Sequence, residues 1–453
     1  MANEQHLDLL ILGTGPAASR MVNAVREAGW EVGIADPKPF GGTCALRGCR
    51  PKKALTRAAA LADRARRMRP VYLETGDIRL DWERLMAFKR RFTDPVTPHA
   101  EAHYAEAGIH TYPHAGRFVN PDTVQLGDTT VRAEHVVVAT GARPIPLPIR
   151  GADLLTTSDE LLERETLPER ILLVGGGYIG FEFAHIVARA GAKATVLEMR
   201  PRPLAAFDPA LTDMLVKRTR EAGIEVHTET RVEGIEQKSS GALQVQAVSG
   251  QKPVQFEADL VVHGAGRVPN MAGLELGAGN VAHGKRGITV DAHLRSTTNP
   301  RVYAAGDVAD TDAPPLSPAA SHDGWVVRKN LLEDGTHAPD YRGIPSAVFT
   351  TPPMASVGLQ ETDAEQSGYA FAVSHGDMGS WQSTQKAGED TAGFKLLLEK
   401  DTGKILGAHL LGPGAAETIN LFAVAVKFGL TAVDLKSMLF AYPTFGADIR
   451  HML

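Results

Sequence analysis

The sequence predicts an α/β protein in which one βαβ unit occurs twice and is followed by a smaller α+β domain. Three observations carry this. A strand–turn–helix–strand pattern at the N-terminus recurs near residue 170 with the same internal spacing. Proline-rich stretches, RPIPLPIRG (143–151) and THAPDYRGIP (336–345), read as linkers that cut the 453 residues into pieces of ordinary domain size. The last piece has alternating apolar patterns around 370–375 and 394–398 and a helical one at about 415–429.

The first unit opens with LDLLIL (7–12), apolar nearly throughout, as a parallel strand buried on both faces must be. The turn Gly13-Thr14-Gly15-Pro16-Ala17-Ala18 follows, then a helical stretch to Gly29 and a strand EVGIA (31–35) ending at Asp36. In the second unit RILLV (170–174) leads into Gly175-Gly176-Gly177-Tyr178-Ile179-Gly180, a helix to Gly191, KATVL (193–197) and Glu198. First glycine and acid lie 23 residues apart in both copies, 13 to 36 and 175 to 198. Glycines at such a turn let the backbone approach a pyrophosphate at a helix N-terminus, and the terminal acid accepts from a ribose hydroxyl. Each copy therefore reads as a Rossmann-like dinucleotide-binding unit. Gly13, Gly15, Ala18 and Asp36 are the binding candidates in one, and Gly175, Gly177, Tyr178, Gly180 and Glu198 in the other.

Composition narrows the class. Hydrophobic residues are 43% and charged residues 22%, ordinary for a globular chain and too apolar for a disordered one. Gly 45 and Pro 28 follow no G-X-Y period, which excludes collagen. No apolar run is long enough to span a bilayer. MANEQHLDLLILGTG has no basic region before its strand pattern, so no signal peptide is expected and the cytoplasm is the expected compartment. A net charge of −5 calls for neither nucleic acid nor a membrane as partner.

The only two cysteines, Cys44 and Cys49, form C-x4-C just after the first unit. A disulfide closing so short a loop stabilises little through chain entropy. A zinc site needs four ligands, which no further cysteine supplies. Redox chemistry is the better reading, and no metal site is expected. His99, His103, His110 and His114 lie on a charged helix leading into a strand, with no pattern of supporting ligands.

Gly41-Gly42-Thr43-Cys44-Ala45-Leu46-Arg47-Gly48-Cys49-Arg50-Pro51-Lys52-Lys53 resembles the redox signature G-G-T-C-x4-C-x-P-x-K of the class I pyridine nucleotide–disulfide oxidoreductases, which include glutathione reductase, dihydrolipoamide dehydrogenase and mercuric reductase. Ala139-Thr140-Gly141 and Gly266-Arg267-Val268-Pro269-Asn270 resemble the turns leaving the two nucleotide units. Ala305-Gly306-Asp307 resembles the second FAD motif. Phe349-Thr350, Ala355-Ser356-Val357-Gly358 and Gly407-Ala408-His409 resemble the interface domain, so the likeness covers essentially the whole chain.

The resemblance implies FAD on 1–150 and 280–337, NADH (or NADPH) on 151–279, and dimerisation through 338–453 as a homodimer. By motif, Cys49 faces the flavin as thiolate and Cys44 is the interchange thiol that meets substrate. Lys53 pairs with Glu182 near the flavin, Tyr178 covers it, and Asp307 holds its ribityl chain. Gly42, Thr43, Thr140, Gly141, Gly266 and Gly306 complete the cofactor set. A thiolate is the species that reacts, and cations lower a thiol's pKa. Arg47, Arg50, Lys52 and Lys53 crowd this pair. Residues 45–70 hold nine Lys/Arg against Asp63 alone. A solvated helix face explains the distal arginines as well as function does, and a nucleic-acid patch is the weakest of the three readings. Arg50 and Lys52 stand where the family has an aliphatic residue and a serine, and their charge suits an anionic substrate.

One departure bears on chemistry. The family's disulfide reductases carry a His-Glu dyad in H-P-T-x-x-E, a general acid–base pair for thiol exchange. Here the stretch is Tyr442-Pro443-Thr444-Phe445-Gly446-Ala447. Tyr442 takes the histidine's place in the catalytic set, and a phenol is a poor base at neutral pH. Mercuric reductase carries a tyrosine there too, but it also uses a C-terminal cysteine pair, and this sequence has none. Asp448 and His451, at i, i+3 spacing, could form a displaced dyad, although a solvated turn explains them better. The leading expectation is an FAD-dependent NAD(P)H oxidoreductase passing electrons through Cys44–Cys49 to a metal ion, quinone, persulfide or low-pKa disulfide. The alternatives are a glutathione- or dihydrolipoamide-type reductase with a displaced base, a nucleotide-responsive flavoprotein acting through partner binding, and a flavin transhydrogenase that runs without the cysteines.

Overall fold

The computed structural model describes residues 3–453; the first two residues of the N-terminal stretch read above lie outside them. The chain forms two compact units. One comprises the chain up to Lys52, Phe88–Ile145 and Arg267–Tyr341. The other comprises Lys53–Ala87, Pro146–Gly266 and Arg342–Leu453.

In the first unit Asn3–Leu12 is an inner strand, paired in parallel with Val32–Ala35 on one side and Thr129–Val138 on the other. His110–Tyr112 extends the sheet beyond Val32–Ala35, and Val302–Ala304 adds a parallel partner to Thr129–Val138. Leu9, Leu10, Ile11 and Leu12 are all buried, which is why this strand reads as an unbroken apolar run. Each such side chain contributes about 1.5–3 kcal/mol by leaving water. The helix expected to reach Gly29 is two short pieces, Pro16–Ser19 and Val22–Glu27. Between them Arg20 N and Met21 N bond to Ala17 O and Ala18 O, tightened i−3 turns that bring Met21 into the core.

In the second unit Glu225–His227, Lys193–Leu197, Arg170–Val174 and Leu260–His263 form a four-stranded parallel sheet, with the helix Tyr178–Arg189 after its glycine turn. The C-terminal part is a five-stranded antiparallel sheet ordered Ser346–Val348, Met354–Gly358, Ile405–Leu411, Gly393–Glu399, Phe371–Asp377. The helix Ala415–Phe428 follows, ended by Gly429 at φ 67°.

The stretches read as linkers, 143–151 and 336–345, are where the chain passes from one unit to the other, at Ile145–Pro146 and Tyr341–Arg342. Their first-unit ends are tied down. Arg143 and Pro144 lie in a strand, Ala142–Pro144, paired with Arg267–Pro269. Tyr341 Oη donates to Asp323 Oδ1 at 2.7 Å, and His337 N to Asn330 Oδ1 at 2.8 Å. The distal arginines of 45–70 are not simply a solvated face. Arg67 and Arg189 both meet Asp63, Arg67 and Arg218 both meet the buried Glu389, and Arg66 donates to the carbonyls of Ile78 and Arg189. A buried carboxylate is tolerable only with such partners. No helix among the described residues is long and apolar enough to cross a membrane.

Candidate active site

The two glycine turns repeat each other's backbone hydrogen bonds. Gly13, at φ 112°, donates to Ala35 O at 2.7 Å, and Gly175, at φ 104°, donates to Leu197 O at 2.8 Å. Asp36 accepts from Thr14 N (3.1 Å) and Lys38 N (3.0 Å). Glu198 accepts from Gly176 N (2.7 Å) and Arg200 N (2.8 Å). The equal spacing thus has a local cause: each acid ties the end of its strand back to the turn. A Cβ on Gly13 would lie 2.3 Å from Ala139 O, so only glycine fits.

These turns leave room for a ligand's backbone-hugging groups. A Cβ at Gly15 or Gly141 would meet no atom within 4 Å, and at Gly177 the nearest is 3.8 Å away. Gly15 and Gly177 are also N-caps without a side-chain partner for the helix N–H groups beyond them. The residues present therefore fit two dinucleotides. In the second turn Gly180 must be glycine, since a Cβ would strike Gly175 O at 2.1 Å; the first turn has room for the buried Ala18. Gly42 passes so near Gly15 that a Cβ would lie 2.4 Å from its Cα. Thr43 is exposed beside it. Thr140 Oγ1 donates to Asn270 O at 2.7 Å, fixing the turn at Gly141. Gly266, at φ 114°, opens onto free space. Gly306 N donates to Asp323 Oδ2 at 2.9 Å, and burial pushes the Asp307 carboxyl up.

Cys44 sits in the short helix Gly42–Leu46, and Cys49 opens the 20-residue helix Cys49–Met68. Both are free thiols, Cys44 half-buried and Cys49 exposed. The Cys44 thiol's bond to Cys49 holds Cys49 down to about 6, with Ser317 and Lys52 lowering it further against burial. The same bond, with burial, pushes Cys44 well up, while Ser317 and Arg50 pull the other way. Cys49 is thus the thiolate of the pair at neutral pH.

Phe349 connects the other catalytic candidates. Its N–H donates to Glu182 Oε1 at 2.8 Å, and the Lys53 ammonium lies 3.0 Å from its ring centroid. Burial, then the Arg57 charge, brings Lys53 down to about 8, against the pull of Glu182 and Glu417. Tyr178 is 41% exposed and Tyr442 85%. Asp448 and His451 share no side-chain hydrogen bond among the described residues; the His451 ring instead stands edge-on to Trp381. His103 bonds Asn23 and His110 faces Glu31. Ser317 and Asp323 escaped the sequence reading. Their one signal was a helix start with Pro318 in its first turn.

A family model described as pyridine nucleotide-disulphide oxidoreductase matches residues 7–324, and one described as the dimerisation domain of that family matches 344–453. The chain belongs to the pyridine nucleotide–disulphide oxidoreductase family. This family uses FAD and NAD(P)H. Mercuric reductase of Streptomyces lividans is 32% identical over 98% of this chain and 94% of that protein. Glutathione reductase of Burkholderia cepacia is 31% identical over 97% of each. Dihydrolipoyl dehydrogenase of Haloferax volcanii is 30% identical over 98% and 94%. Among solved structures, the Cu(II) complex of the HOCl-induced flavoprotein disulfide reductase RclA from Escherichia coli aligns at TM-score 0.87 and 25% identity, covering 100% of this chain and 99% of that one. As a pyridine nucleotide–disulphide oxidoreductase the chain is a flavoprotein with a redox disulfide and a dimerisation domain.

Proposed function

We propose that this flavoprotein takes electrons from NADH, stores them on the Cys44–Cys49 pair and delivers them from Cys44 to an acceptor whose reduced form leaves with little need of a proton. The observation that carries this reading is the polarisation of the pair: Cys49 held as thiolate and Cys44 kept protonated, with Tyr442 where a catalytic histidine would stand. Metal ions, quinones, persulfides and low-pKa disulfides fit such an acceptor. That the relatives include mercuric reductases, and a flavoprotein solved with Cu(II), supports metal ions among them.

When bound, the flavin and nicotinamide supply hydride and electron transfer, which no side chain can. The protein's part is holding and poising. Gly13, Gly15, Ala18, Asp36, Gly42, Thr43, Thr140, Gly141, Gly306 and Asp307 would hold FAD. Gly175, Gly177, Tyr178, Gly180, Glu198 and Gly266 would hold NADH. Lys53 and Glu182, joined through Phe349, would set the field beside the flavin. Residues 1–150 and 280–337, 151–279, and 338–453 would be the FAD, NAD(P)H and interface domains of a homodimer. A reducing compartment such as the cytoplasm would keep the pair cycling.

The test is an NADH-driven screen of disulfides, metal ions and quinones with purified holoprotein. Turnover that disappears in Cys44→Ala supports the reading. Full activity in Cys44→Ala would turn it over to a transhydrogenase-type flavoprotein, and no NADH consumption with any acceptor would favour a partner-binding role.

A further inference from the structure

The basic segment beside the cysteines divides in two. Arg64, Arg66 and Arg67 are engaged with carbonyls or carboxylates of their own unit. Arg50 is not. It follows Cys49 in the first turn of the helix Cys49–Met68, is exposed, and makes no ion pair or hydrogen bond among the described residues. No aspartate or glutamate occurs between Asp36 and Asp63, so nothing local in sequence neutralises it. Its charge nonetheless reaches Cys44, whose thiol it pulls down. An unpaired guanidinium within electrostatic reach of the thiol that meets the acceptor is available to a carboxylate on that acceptor, and its planar fork fits one bidentately.

We propose that Arg50 recognises the acceptor, and that the acceptor class it selects is an anionic disulfide with acidic thiol leaving groups. The inference rests on the function proposed above. The Cys44 thiol passes its proton to the Cys49 thiolate as its sulfur attacks one sulfur of R–S–S–R; that S–S bond breaks and one RS⁻ leaves. Cys49 then gives that proton to water, its thiolate attacks the Cys44 sulfur of the mixed disulfide, and the second RS⁻ leaves as the Cys44–Cys49 bond forms. The acceptor gains two electrons, the pair loses two, and NADH restores them. Arg50 binds the carboxylate throughout and gives up no proton.

The experiment uses the FAD-loaded protein, NADH, and two disulfides with acidic leaving thiols: dianionic 5,5′-dithiobis(2-nitrobenzoate) and neutral 4,4′-dithiodipyridine. The readout is the ratio of kcat/KM for the dianion to that for the neutral disulfide. Arg50→Ala is expected to lower this ratio about fivefold, the scale of one exposed charge contact. The loss should lie in KM and shrink with added salt, Arg50→Glu should lower the ratio further, and Arg50→Lys should restore part of it. A ratio unchanged within twofold overturns the inference. So does an equal loss on both disulfides, which would mean that Arg50 acts only on the Cys44 thiol. A wild-type protein that reduces neither disulfide but reduces a metal ion or quinone also overturns it and leaves the functional reading standing. No NADH consumption with any acceptor overturns both.

Discussion

Ser317 Oγ lies 3.3 Å from Cys49 Sγ, across 268 residues of sequence. A hydroxyl at the start of the helix Ser317–Leu332 thereby becomes a hydrogen-bond donor for the thiolate. One such bond contributes about 1 kcal/mol net, and 1.36 kcal/mol is one pKa unit. Ser317→Ala should therefore raise the Cys49 midpoint from about 6 by roughly half to one unit. The pH titration of thiolate ultraviolet absorbance reads this directly, with Cys49→Ser as the blank. An unmoved midpoint would remove Ser317 from the site.

Lys53 provides a stability test. Burial, with Arg57, lowers it from 10.5 to about 8 in the folded chain. Between those two values the unfolded chain holds more protons, so wild-type stability gains with rising pH. The cost of burying the charge is fully present below pH 8 and vanishes as pH passes 10.5. Lys53→Met should thus be most stabilising, relative to wild type, below pH 8, and the difference should shrink across that window. Urea unfolding at several pH values follows it. A pH-independent difference would mean that the Lys53 charge feels no such burial.

The legible and illegible parts of this site differ in the range of the interactions behind them. The glycine turns were readable because their determinants are local: Gly13 and Asp36 are tied within one βαβ unit, as are Gly175 and Glu198. The cysteine pair was readable for the same reason, lying within one short segment. Ser317 was invisible because its role exists only once the helix Ser317–Leu332 is packed against the helix start at Cys49. Asp323 resembles any polar residue on a helix until the fold turns it toward Gly306 N and Tyr341. The engagement of Arg66 and Arg67 was not legible because their partners, the Ile78 carbonyl and Glu389, come from other elements. The dual engagement of Asp36 and Glu198 with backbone N–H groups also exceeds what the motif announces.

Coenzyme choice should favour NADH. Glu198 is buried at its strand end, fixed by two backbone N–H groups, and a negative charge there repels a 2′-phosphate. Of the two arginines that follow, Arg202 is clamped bidentately by Asp213 at 2.8 and 3.1 Å, leaving Arg200 exposed. Glu198→Ala should narrow the preference by relieving repulsion, and Asp213→Asn should narrow it by freeing Arg202. Comparing kcat/KM for the two coenzymes decides. A wild-type preference for NADPH of tenfold or more, about 1.4 kcal/mol, would reverse the assignment and make Arg200 and Arg202 the binding groups.

Tyr442 sets the limit on substrate. A thiol leaving group of ordinary pKa needs a proton as its sulfur departs, and a catalytic histidine supplies it; an acidic thiol leaves as thiolate unaided. With Ala447 three residues beyond Thr444, where the dyad's glutamate would stand, Tyr442 lacks the carboxylate that would poise a general acid. Glutathione disulfide and lipoamide should therefore turn over about 10²–10⁴ more slowly than in a family member with the dyad. Acceptors with acidic leaving groups should be spared, and Tyr442→Phe should cost them little. Tyr442→His combined with Ala447→Glu should raise glutathione disulfide turnover selectively and introduce a pH profile with an inflection near an imidazole's pKa. Steady-state rates for both acceptor classes across pH 5–9 would separate the cases. Rapid glutathione disulfide reduction by the wild type at pH 7 would place the missing acid–base group elsewhere. A collapse of activity toward acidic disulfides in Tyr442→Phe would instead make the phenol itself the proton donor.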